Sequence, residues 1–129
     1  MSIVEQFTPQ VERFIADLEL FASGGYLRDG EDAYWDQPFP PTALPELRQL
    51  LLDYLETVAG YQTYDSEIAL GSIIALYDQL EAFNEQYQWS VIEPEEEADI
   101  QALLVEVWQA RRLPEIFLQA IPLLSERDE

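Results

Sequence analysis

Apolar residues recur along this chain at helical intervals, and no segment shows the alternation of a half-buried strand. In the first segment Val11, Phe14, Ile15, Leu18 and Phe21 share one face at i, i+3, i+4 spacing. Thr8 followed by Pro9 reads as a cap and a first helical residue, and Ser23-Gly24-Gly25 as a stop. Upstream, Ser2-Ile3-Val4-Glu5 fits the capping-box pattern and predicts a short turn before Pro9, with Ile3, Val4 and Phe7 prolonging the same face.

The second helix is expected from about Thr42 or Leu44 to Gly60. Leu44, Leu47, Leu51, Tyr54, Leu55 and Val58 point inward, and Pro45 is confined to the first turn. The third should run from about Asp65 to Gln88. Its apolar face is wide (Leu70, Ile73, Ile74, Leu76, Tyr77, Leu80, Phe83 and Tyr87), as suits the central helix of a small bundle. The fourth starts at Pro94, with Ile100, Leu103, Leu104, Val107 and Trp108 inward. Glu95, Glu96 and Glu97 meet its positive end, and Arg111 and Arg112 its negative end. Pro114 opens a shorter fifth helix with Ile116, Phe117, Ala120 and Ile121, which Pro122 kinks or ends.

Short connections near Gly60 and Leu113 make successive helices neighbours. The expected fold is therefore all-α: one domain over residues 1–129, a bundle of four main helices plus a short C-terminal one. Residues 125–129 are expected to fray. Tyr61 and Tyr64 should seal the junction of the second and third helices, and Arg111 or Arg112 should reach a carboxylate across the bundle edge.

One stretch, about residues 24–41, has no such periodicity. It combines the aromatics Tyr26, Tyr34, Trp35 and Phe39 with the acids Asp29, Glu31, Asp32 and Asp36. Connections this long in a compact domain are uncommon and are often functional or packed loops. Tyr and Trp anchor many interfaces, and neighbouring carboxylates can meet Arg or Lys of a partner. These eight residues are the candidate partner-binding site. The competing reading folds Tyr34, Trp35 and Phe39 back over the bundle while the acids face water.

Charge changes the picture most. The chain has no lysine, histidine or cysteine, and six arginines stand against 26 Asp and Glu, for a formal charge of −20. A hydrophobic content of 48% is enough for a core in 129 residues, so the charge sits on a folded body rather than a disordered one. Nucleic acid is excluded as a ligand, because phosphate binding needs cations to replace counterions. An anionic membrane surface fails on the same ground. No apolar run approaches a membrane span and no basic-then-apolar leader is visible, so a cytoplasmic location is expected.

The same absences narrow the chemistry. Without His there is no Ser-His-Asp unit and no imidazole ligand; without Lys there is no phosphate-loop lysine or Schiff base; without Cys there is no thiolate. Di-iron bundles need Glu-x-x-His motifs that are missing. Asp29-Gly30-Glu31-Asp32 lacks the ligand spacing of a calcium loop and reads as a turn. Glu93, Glu95, Glu96, Glu97 and Asp99 form the densest acid cluster, which compensation of the helix dipole largely explains. Two acidic rows, Asp78, Glu81, Glu85 and Glu5, Glu12, Glu19, read as solvated faces or as imitations of nucleic-acid phosphates. Neither catalytic residues, a cofactor nor a metal is expected.

No motif ties the chain to a family. The expectation is a small non-catalytic protein-binding module that holds a basic protein partner through carboxylates and aromatics. An inhibitor, an immunity protein or a nucleic-acid mimic would have this character. Two alternatives stand beside it: acidity as adaptation to concentrated salt, where counterions screen the repulsion, and an enzyme using carboxylates with a divalent cation. The sequence leaves the oligomeric state open.

Overall fold

The computed structural model describes residues 2–25, 27, 36–60 and 66–112. These form four α-helices, α1 (Ile3–Ser23), α2 (Leu44–Ala59), α3 (Ser66–Gln86) and α4 (Pro94–Ala110), with a 3-10 turn, Pro41–Ala43, leading into α2. No strand occurs among the described residues, and none of the helices is long and apolar enough to cross a membrane. The all-α bundle expected from periodicity is the observed fold. The fifth helix, the frayed tail and the Tyr61/Tyr64 seal lie outside the described residues.

α1 departs from expectation at its start. Ser2, not Thr8, is the cap: its Oγ accepts the Glu5 N–H at 3.0 Å, and one continuous helix follows. Pro9 therefore stands inside the helix rather than at its first position. It has no N–H to offer the Glu5 carbonyl. Burial of Phe7 on one side of it and Val11 on the other carries the helix through the break. The Thr8 hydroxyl donates to the Val4 carbonyl at 2.6 Å instead of capping a new helix. At the far end Gly24 adopts the left-handed conformation (φ 74°) that only glycine enters without strain, and its N–H closes on the Leu20 carbonyl.

α1 packs on α2, α2 on α3, and α4 returns against α1. The core takes Val11, Ile15 and Leu18 from α1, Leu47, Leu51 and Leu55 from α2, Ile73, Leu76 and Leu80 from α3, and Leu104, Val107 and Trp108 from α4. Ile74 is the exception to the wide inward face expected of α3; it is 46% exposed. Ile73 and Tyr77 hold the core-facing arc, and a residue one step from Ile73 is turned ~100° away from it.

Polar contacts set the registers. The Trp108 indole N–H donates to the Tyr54 hydroxyl at 2.8 Å in the interior, joining α4 to α2. The Tyr77 hydroxyl donates to Gln101 Oε1 at 2.7 Å, joining α3 to α4. Arg48 of α2 pairs with Glu12 of α1. Both side chains are nearly half exposed, so the pair contributes at most ~1 kcal/mol.

The turn between α3 and α4 is held by a buried amide. Asn84, 3% exposed, accepts from the Val91 and Ile92 N–H groups at 3.2 and 2.9 Å and donates to the Ile92 carbonyl at 2.9 Å. Gln88 and Trp89 both carry positive φ (55° and 61°), a conformation that costs ~1–2 kcal/mol per residue for side chains other than glycine. The Asn84 bonds offset that strain and fix where α4 begins.

Candidate functional site: the acidic groove between α1 and α4

α1 and α4 run antiparallel and are not evenly packed along their seam. At one end the Gln10 amide donates to Glu106 Oε2 at 2.7 Å and ties them together. Toward the other end the seam opens into a cleft of about 600 Å³ bounded by Phe14, Asp17, Leu18 and Phe21 of α1 and by residues 93–96 and Asp99 of α4. A smaller hollow of about 230 Å³ continues it toward Gln10 and shares Phe14, Asp17 and Asp99. The two make one groove.

The groove exists because of where two patterns meet. Phe14 and Phe21 border the buried stripe of α1 formed by Val11, Ile15, Leu18 and Ala22, which leaves Phe14 part-buried and Phe21 39% exposed. The start of α4 faces it, and that start is acidic. Glu93 caps α4, its N–H donating to Glu96 Oε1 at 3.1 Å, and Glu95 and Glu96 follow in the first turn. The helix dipole favours acids in that turn but fades beyond it. Asp99 lies past the first turn of α4, and Asp17 is mid-helix on α1, so neither sits in the first turn of its own helix.

One carboxyl of the groove, that of Glu96, is shifted toward its protonated form. Partial burial raises the Glu96 pKa above its ordinary value. The backbone hydrogen bond from Glu93 opposes this, and the neighbouring carboxylates of Glu93, Glu95 and Asp99 push it further up. No group of three or more acids among the described residues is arranged to hold a metal ion.

The eight residues singled out in the sequence are only partly within view. Tyr26, Asp29, Glu31, Asp32, Tyr34 and Trp35 lie outside the described residues. Asp36 is exposed. Phe39 is not a surface anchor: it is 3% exposed, a core member whose ring sits 6.3 Å from that of Phe21. Its burial follows from the Pro-rich return into α2, which the Gln37 amide pins to α1 by donating to the Ala22 carbonyl at 3.0 Å. Both ends of the segment therefore meet the bundle beside Phe21, at the open end of the groove.

The groove itself was missed from sequence. Its acids on α4 were visible as a cluster and its aromatics as a helix face, but Asp17 carried no signal, and nothing local joins residues 14–21 to residues 93–99. The antiparallel register supplies the link. Of the two acidic rows, Glu12 is bonded to Arg48, while Asp78 and Glu85 are exposed.

No family model matches the chain, and no curated protein and no solved structure is significantly similar to it.

Proposed function

We propose that this chain is a small, non-catalytic protein-binding module of the inhibitor, immunity-protein or nucleic-acid-mimic kind, and that it engages a basic protein partner at the α1/α4 groove. The observation that carries the reading is an aromatic floor, part-buried Phe14 and exposed Phe21, between two acidic lips, Asp17 on one side and Glu93, Glu95, Glu96 and Asp99 on the other. Such a surface has an apolar area to bury and like charges that a partner's Arg or Lys would neutralise.

The net charge of −20 would speed encounter with a positive partner, and salt would slow it. The test is a pull-down from the source organism at low salt with the wild-type chain and with Asp17→Asn/Glu95→Gln/Asp99→Asn, followed by association kinetics on whatever is retained. A basic protein that the triple variant fails to hold, with an on-rate falling at least about tenfold between low and physiological salt, is the expected result. Identical retention by both chains, or an on-rate indifferent to salt, would defeat the proposal.

A further inference from the structure

Resting on that reading, we propose that the α1/α4 groove receives one amphipathic α-helix of the partner, with its apolar face on Phe14 and Phe21 and its Arg or Lys residues on the acidic lips. Three observations point to a helix. From Gln10 to Phe21 the α1 lip is ~16 Å long at ~1.5 Å per residue, which is three helical turns. The two hollows form one trough open along that length, as an elongated insert needs, rather than a closed chamber for a compact ligand. Both walls are helices whose interior backbone groups are already bonded, so an extended peptide would find no main-chain partners. A helix brings its own.

The charge specifies the polarity of the insert. Asp17 and Asp99 border both hollows from opposite walls, which makes the space between them the seat for a guanidinium or ammonium group. Glu93, Glu95 and Glu96 continue the negative lip beyond it. The one cation bordering either hollow among the described residues, Arg13, lies toward the narrow end. An acidic or neutral helix would add repulsion or leave these carboxylates desolvated, so the insert must be basic.

A proton accompanies the insertion. Glu96 has Glu93, Glu95 and Asp99 beside it on its own helix, and its carboxyl holds a proton more readily than an ordinary glutamate because of burial and those neighbours; Asp17 borders the same cleft from α1. A cation seated among them favours the ionised form, so binding expels the proton in mildly acidic solution.

The experiment uses the full chain and two synthetic peptides of identical composition, Leu and Arg in equal number with Ala and Gln. In one peptide the Leu residues recur at i, i+3, i+4, i+7 and the Arg residues flank them; in the other the order is scrambled. Calorimetry near pH 5, in two buffers of different ionisation enthalpy, reads affinity and proton release together, and circular dichroism reads helix gain. The patterned peptide is expected to bind at least about tenfold tighter than the scrambled one, gain helix, and release protons. Asp17→Asn/Asp99→Asn should remove that preference, and Glu96→Gln should abolish the release. Equal affinity for both peptides would overturn the helix insertion yet leave the basic-partner reading intact, since charge alone would then suffice. Failure of both peptides to bind at low salt would overturn the two together.

Discussion

Replacing Asn84 by leucine keeps roughly the same side-chain volume in the core but deletes three hydrogen bonds to the turn between α3 and α4. The Val91 and Ile92 N–H groups and the Ile92 carbonyl lose the partner that Asn84 provides, in residues that are 1% and 3% exposed. A buried polar group left without a partner costs ~1–3 kcal/mol, so three of them cost at least ~3 kcal/mol even if the turn relaxes toward water. That is a large share of the ~5–15 kcal/mol that holds a typical domain folded. Urea unfolding followed by far-UV circular dichroism should show the midpoint falling with little change in slope. Asn84→Asp separates the bonds. Its carboxylate still accepts from both N–H groups but sets a negative charge against the Ile92 carbonyl, which only the protonated form can meet as a donor. The aspartate variant should therefore lie between wild type and the leucine variant in stability. A leucine variant within ~1 kcal/mol of wild type would refute the account, because the turn would then owe its shape to something other than the amide.

Three further outcomes are expected. Pro9→Ala restores an N–H in mid-helix and should raise the unfolding free energy by ~1–3 kcal/mol; a loss of stability would mean that α1 is built around the proline. Trp108→Phe and Tyr54→Phe, measured singly and together, should show a coupling of ~0.5–1.5 kcal/mol for the indole–hydroxyl bond, and additive effects would deny it. Glu96→Gln keeps an acceptor for the Glu93 N–H but cannot ionise. Because the wild-type pKa is raised, wild-type stability falls as pH climbs through the folded value; the variant should be the more stable chain at neutral pH, and the two should converge in acid. Parallel pH profiles would contradict this.

Local rules carried the fold a long way. Leu47, Leu51, Tyr54, Leu55 and Val58 repeat at helical spacing and were buried as their spacing requires, because a helix of this length can satisfy its backbone and hide its apolar stripe in one way. The bounds of α2 and α4 were legible in Pro45, Gly60 and Pro94 for the same reason: proline and glycine act on the chain within a residue or two. Pro9 misled, since its helix-breaking cost is local while the burial of Phe7 and Val11 that overrides it comes from other helices. Ile74 misled in the opposite sense, because a helix rich in apolar residues all round does not say which arc the neighbours will cover.

By itself, then, the sequence determined the helices, the acid excess, and the absence of lysine, histidine and cysteine side chains. Those properties depend on residue identity and near neighbours. The groove was decided in three dimensions. Phe14, Asp17 and Phe21 lie more than seventy residues from Glu93 and Asp99, and their meeting depends on the antiparallel return of α4 along α1 and on the Gln10–Glu106 contact that closes one end. Likewise Phe39, an interface anchor by composition, became core when the return into α2 laid it against Phe21. Which carboxylates face water and which face one another is a property of packing between helices, and no periodicity along the chain records it.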